Sequence, residues 1–512
     1  MSAHGSWPFD LRVQNAQRAR RTRSNENKDF DAAAEGSRTF EREINEQDLL
    51  LAKGLAIKDH RVDTDNDQYP IASGAVYLAQ MMAHDLVLSI PTGNRDAPFE
   101  SRIDRPLMLD SLYGLGPANA PHLYAIEGPP EALGDPAAFR PMFRLTEATD
   151  AGDNPQLARF RDFEGRKRNG FAFKNEVLIA DRRNDSHALI AQITAVWQSY
   201  HNHTFVKSSD WEGFDSEKDS ESNKKLRFVA AQNHVREAWR NVIINDVFPI
   251  LFGDVNLDRF SSKIDVSSPP PEALISLRAL HSLPLGGYIF GAGISETREE
   301  LWKVLKVGSH GSINDQDFTI TENKFGPQWA VPWHHYFDGV SDSGSLAKLR
   351  TRFHLEHAIG LDTSGETNLP ILAVDLTRGR QLLYTPNSVR DLLKKHQSQL
   401  HDSLKEDSIE ATVTKHLTEV LNSDDGHLPD ISAIAGDPPL NIVILLDAML
   451  SNNGACLGGL GRTLIGPWLI GALREAENIA KISGIRPPEN VKIPERFTDI
   501  LKALKGETWE GV

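Results

Sequence analysis

Tyr77-Leu-Ala-Gln-Met-Met-Ala-His-Asp-Leu86 is the stretch around which this chain is organised, with His84 at its centre. Read at helical spacing, Tyr77, Gln80 and His84 fall on one face, because residues three and four apart are neighbours on a helix. That face offers hydrogen-bonding groups to something buried. A lone histidine on an apolar helix is most often a satisfied core residue, so the rest of the chain decides how His84 is read. Three later segments bear on it. Leu178-Ile-Ala-Asp-Arg-Arg-Asn184 supplies arginine at a helix entry, Ser276-Leu-Arg-Ala-Leu-His281-Ser282 a second histidine, and Val374-Asp-Leu-Thr-Arg-Gly-Arg380 a carboxylate with further arginines.

Composition sets the outer bounds. With 512 residues one or two domains are possible, and a large helical enzyme can wrap a single core around a cofactor at this size. A hydrophobic share of 40% and a charged share of 25% are those of an ordinary globular protein. A formal charge of -15 argues against a nucleic-acid-binding surface over the whole molecule, since phosphate contact needs clustered Lys and Arg. The single cysteine, Cys456, excludes an intrachain disulfide and suits a reducing compartment. The first residues show no basic start followed by an apolar run, so no signal peptide is expected. The late apolar run from Leu464 to Leu473 is interrupted by Gly466 and Pro467 and is too short for a membrane span. The expectation is a cytoplasmic protein.

Along the chain, residues 1–65 are polar and mixed in charge and read as an extended arm laid over the surface. Residues 66–512 read as one mainly α-helical domain with few short strands. Helical patterning is expected from Pro70 to Ser89, from His187 to Phe205 with Asp185 or Ser186 as cap, and from about 226 to Ile250. A further helix opens on the prolines before Glu272 and carries Leu274, Leu277, Arg278 and His281 on one face. Others are expected at about 297–306, 344–357, 387–403, 408–422, 439–450 and 465–482. Residues 115–170 read as short strands or irregular loops, and the glycine-rich stretch Gly454 to Gly466 as a helix–helix connection rather than a phosphate loop.

In their order and separation, the His84, Arg183, His281 and Asp375 to Arg380 segments resemble the haem peroxidases of the animal type, the peroxidase–cyclooxygenase superfamily, from about residue 70 to the end of the chain. The resemblance implies a large helical domain wrapped around a buried haem, and an enzyme that reduces hydrogen peroxide and oxidises a small organic electron donor or a halide. His281 would be the proximal iron ligand, since Arg278-Ala-Leu-His281-Ser282 resembles the family's Arg-aromatic-Gly-His-Ser/Thr motif with Ala279 and Leu280 replacing the aromatic and the glycine. His84 would be the distal histidine, moving a proton between the peroxide oxygens. Arg183 would stabilise the charge that develops as the O–O bond breaks. Gln80 would hydrogen-bond peroxide, water or halide, or serve only in packing.

Asp375 stands where the family has an asparagine bonded to the proximal imidazole. A carboxylate there would push electron density toward the iron, or would instead pair with Arg378 or Arg380. Arg278 and Arg378 match the arginines that hold haem propionates. The carboxylates that form ester links to haem in mammalian members correspond to Ala83 and Ser186, so non-covalent haem b is expected. A calcium site is implied at Asp85, Asp104, Asp110 and the Pro106 carbonyl, with Met108 where an aspartate is common; Asp85 would otherwise cap or salt-bridge. The clusters Tyr200-His-Asn-His203 and Trp333-His-His-Tyr336 lack a nearby acidic partner set in sequence and are read as structural rather than as zinc sites. The family's dioxygenase branch needs a radical tyrosine three residues before the proximal histidine, where this chain has Arg278; Tyr288 is the alternative. A selective biosynthetic oxidase and a non-catalytic haem sensor or carrier are the other readings.

Overall fold

The computed structural model describes residues 69–87, 89–91, 99–101, 105–124, 139–146, 156–157, 177–214, 220–260, 266, 269–292, 295–306, 327–341, 344–355, 386–421, 429–482 and 484–505, with positions 50, 51 and 55 before them. The fold is mainly α-helical, as the sequence predicts. The helices are α1 (Ser73–Leu86), α2 (Asp110–Tyr113), α3 (Ala188–Lys207), α4 (Glu221–Val242), α5 (Phe248–Phe252), α6 (Pro271–Arg278) and α7 (Leu301–Lys306), then α8 (Pro386–Lys395), α9 (Ile409–Val420), α10 (Ile431–Gly436), α11 (Leu440–Asn452), α12 (Gly459–Ile482) and α13 (Phe497–Leu504). The strands form antiparallel pairs: Ile71–Ala72 with Arg350–Thr351, Ser89–Pro91 with Phe99–Ser101, Leu145–Thr146 with Gln156–Leu157, and Gly287–Phe290 with Thr297–Glu300. The expected N-terminal arm lies outside the described residues, apart from those three positions.

α1 runs through the core. It packs on α3 and on the turn between α4 and α5, α3 packs on α4 and α13, and α6 is covered by α11 and α12. A helix that is apolar almost all round can only be satisfied in the interior, but both its ends then need partners for their unpaired backbone groups. At the N-terminus Ser73 N–H donates to Leu349 O at 2.9 Å and Gly74 N–H to Tyr336 O at 2.9 Å. Gly74 is required there: a Cβ would stand 2.4 Å from the Phe337 ring.

Some expected helices differ. The run to Ile250 is interrupted by a π turn at Ile243–Val247, because Pro249 has no N–H to continue the α ladder and its ring opposes the carbonyl four residues back. Asp246, in that turn, accepts from Phe497 N–H at 2.7 Å and so docks α13. The cap of α3 is His187, whose ring accepts from Ile190 N–H, rather than Asp185 or Ser186. Residues 297–300 pair as a strand before α7 starts, so local helical spacing there is overridden by ladder bonds. At 344–355 the chain is irregular except for the two residues paired with Ile71 and Ala72. Gly459 to Gly466 belong to α12, since Gly466 leaves room for the Phe260 ring and Gly461 lies against Ile444 and Leu457. Only Gly454 to Gly458 form the connection. α10 and α13 were not anticipated.

Gly74→Ala is expected to destabilise the fold by about 1–3 kcal/mol, the usual range for overpacking, read as a lower denaturant midpoint with an unchanged slope.

Candidate active site

The site starts from the one face of α1 that is not sealed. Along the helix every residue is buried except Gln80, Ala83 and His84, which share a face at spacing three and four. Burial is nonetheless the largest cause that lowers the His84 pKa to about 4. His281 lies on the 3-10 turn Ala279–Ser282, which follows α6 and packs against α1. Like Arg278 before it, His281 is half-buried. A charge on His281 is close enough to contribute to the lowering of the His84 pKa. The two histidines that sequence singled out are thus brought to one place.

Asn184 fixes the tautomer of His84. The Asn184 side-chain nitrogen donates to Ser111 O at 3.3 Å, which turns its oxygen toward His84 Nδ1 at 2.8 Å. Nδ1 therefore carries the proton, and Nε2 keeps a lone pair.

Arg183 is tied to the end of α1. Its Nε donates to Asp181 Oδ1 at 3.0 Å, and its terminal nitrogens reach Asp181 Oδ2 at 2.6 Å, His84 O at 2.7 Å and Val87 O at 2.6 Å. The guanidinium thus closes carbonyls that the helix C-terminus leaves unpaired. After burial, its charge is the next cause holding His84 neutral, opposed by the Asn184 bond and the Asp181 charge. Asp181 shapes the entry as well, accepting from Arg183 N–H at 2.9 Å.

Gln80 is oriented by His187. His187 Nδ1 accepts from Ile190 N–H at 3.3 Å, so Nε2 carries the proton and donates it to Gln80 Oε1 at 3.0 Å. This leaves the Gln80 amide nitrogen as the donor end. The His187 ring stands edge-on to Tyr77 at 5.3 Å, Tyr77 edge-on to Tyr288 at 5.6 Å, and Tyr288 is stacked with Tyr336 at 6.2 Å. Burial drives His187 down to about 3, with the His84 charge adding to it.

Of the expected calcium ligands, Asp85, Pro106 and Asp110 are among the described residues. Asp85 is buried and accepts from Leu109 N–H at 2.7 Å, Ser111 N–H at 3.2 Å and the Trp239 indole at 3.3 Å. Burial and the Asp110 charge nevertheless raise it to about 6. Asp110 faces Arg105 at 2.7 Å and Arg236 at 3.3 Å. Pro106 is close by in sequence, and Asp104 lies outside the described residues. Asp375 and Arg378 also lie outside the described residues. Of the residues that orient His84, Gln80 and Arg183, sequence reasoning gave no role to Asn184, His187 and Asp181. All three sit in or beside the arginine segment, but nothing local shows that their partners are on α1.

No protein-family model and no curated protein matches the sequence. Solved structures do. Peroxidase A from Dictyostelium discoideum superposes with a TM-score of 0.51 at 10% identity, covering 89% of this chain and 88% of that one. The chain shares its mainly α-helical fold with that protein. Fatty acid alpha-dioxygenase from Arabidopsis thaliana is similar at a TM-score of 0.49 and 12% identity over 91% of this chain and 76% of that one. Among the described residues no helix is long and apolar enough to cross a membrane.

Arg183→Gln is expected to raise the His84 pKa from about 4 toward the ordinary histidine value, since a cation that disfavours imidazolium is removed. The measurement is an NMR titration of the His84 ring, and an unchanged pKa would show that the Arg183 charge does not reach it.

Proposed function

We propose that the protein is a haem-dependent peroxidase that reduces hydrogen peroxide and oxidises a small organic donor or a halide. The observation that carries this reading is the meeting of two histidines: His84, its tautomer fixed by Asn184, and an oriented Gln80 lie on α1, and the turn of His281, with Arg278 just before it, packs against that helix. These residues fit a haem. An imidazole such as that of His281 can ligate iron, and Arg278 can hold a propionate by charge-assisted bonding. Arg378 and Asp375 are assigned the second propionate and the proximal imidazole proton. Ala83 and Ser186 offer no carboxylate for an ester link, which supports non-covalent haem b. Bound there, haem supplies the iron at which peroxide is reduced.

The chain's own contribution is proton management. His84 Nε2, bare because Nδ1–H is given to Asn184, takes the proton of hydrogen peroxide and returns it to the departing oxygen. The Gln80 amide N–H, directed by His187, donates to the peroxide or to a halide. Arg183 acts through His84, holding the helix end and keeping the imidazole unprotonated, so that the base is available in moderately acidic solution. Acting this way, the cation is a positioning residue rather than a direct partner of peroxide.

A dioxygenase-like reading has one structural support. Tyr288 is buried, accepts from Leu285 N–H at 2.7 Å and touches Tyr77 on the helix of His84. It is distinguished by oxygen-dependent rather than peroxide-dependent turnover of a fatty acid, lost in Tyr288→Phe.

The purified protein is expected to show an intense absorption band near the usual haem position that shifts within seconds of adding one equivalent of peroxide. His84→Ala should slow that shift by roughly 100- to 10,000-fold, the usual worth of a general acid–base group. For wild type, the rate should fall as pH drops through about 4, where imidazolium replaces the base. A band that peroxide leaves unchanged would favour a sensor or carrier, and no band after haem addition would overturn the assignment.

A further inference from the structure

We propose that Glu296, His334 and His335 form a binding site for a divalent metal ion of the zinc class, on the turn that anchors the first turn of α1. The two histidines are adjacent in the 3-10 turn Trp333–His335, and their ring centroids lie 4.0 Å apart. The acidic partner that the local sequence lacks arrives from the hairpin before α7. Glu296 Oε2 is 2.7 Å from His335 Nε2, and Glu296 Oε1 is 3.5 Å from His334 Nε2. All three ligand atoms lie within 4.8 Å of one another. Ligand atoms of a tetrahedral zinc, each about 2.0–2.2 Å from the metal, stand roughly 3.3 Å apart, so the cluster closes on a metal with side-chain adjustments only.

The donor chemistry selects the ion. Two imidazoles and one carboxylate suit zinc or a neighbouring first-row metal and not calcium or magnesium, which prefer oxygen throughout. Three protein ligands leave one position for water. On binding, the proton between His335 and Glu296 passes to solvent and the metal takes its place. His335 is buried, while Glu296 is exposed and His334 half-buried, so the ion enters from the surface. The exposed Lys348 ammonium bears on Glu296 and His334 and works against a second cation.

The location gives the ion a structural consequence. Leu349 N–H donates to His335 O at 2.9 Å, Leu349 O receives Ser73 N–H, and Tyr336 O receives Gly74 N–H. A metal on this turn therefore tightens the backbone from which α1 starts, independently of any haem.

The test is anomalous diffraction at the zinc edge from crystals of the whole protein soaked in zinc chloride, paired with calorimetric zinc titration. A peak within ligand distance of the Glu296 carboxylate and both imidazoles supports the site. In solution, the Glu296→Gln/His334→Ala double variant should lose zinc affinity by more than about 100-fold, since even an outer partner is worth roughly 10–100-fold. Zinc should raise the melting temperature of wild type and not of the variant, whose metal-free melting should match wild type. Lys348→Ala should bind more tightly. Anomalous peaks only at other histidines, or equal zinc binding by wild type and the double variant, would overturn the proposal.

Discussion

The structure depends on how the two ends of α1 are closed inside the protein. A helix buried along almost its whole length cannot leave its terminal N–H and C=O groups to water, and an unmet buried polar group is costly. At one end the segment from Tyr336 to Leu349 lends two carbonyls. At the other, Arg183 reaches the carbonyls of His84 and Val87 from a turn far along the chain. Between them Asp85 gathers the backbone of the Leu109 loop and the Trp239 indole, so the helix that carries His84 is held from several directions at once.

That closure sets the electrostatics around His84. The cation that completes the helix end also stands near His84 and disfavours its imidazolium, and burial does the same. Asn184 then decides which ring nitrogen keeps its proton. His187 plays the equivalent part for Gln80: capping α3 commits one of its nitrogens to the backbone, which makes the other a donor to the Gln80 carbonyl. His84 and Gln80 are therefore both oriented by residues at the entry to α3. Low stability of the charged forms and fixed hydrogen-bond direction have a common origin in the packing of the α3 entry against α1.

Much of the helical framework was legible because periodicity is local. α1, α3, α9 and α11 fall where apolar spacing of three and four places them. The failures have local causes too. At 297–300 strand pairing overrides helical spacing, Pro249 opens a π turn, and Gly461 and Gly466 read as breakers because their role is to admit neighbours that sequence does not reveal. For the site, His84, Gln80, Arg183 and His281 could be chosen because their order and residue types are chemically unusual on apolar helices. The direction of the Arg183 guanidinium could not, since its acceptors are backbone carbonyls, which every residue possesses.

The sequence by itself determined that this is a mainly helical protein and singled out two histidines and an arginine on or beside its helices, because amphipathic spacing and residue type are properties of short segments. Only the tertiary structure decided which groups meet: Asn184 with His84, His187 with Gln80, Arg183 with a helix end, Asp85 with N–H donors, and Glu296 with His334 and His335. Each of those pairings joins groups distant in sequence, and hydrogen-bond direction and charge proximity exist only once packing has brought them within a few ångströms.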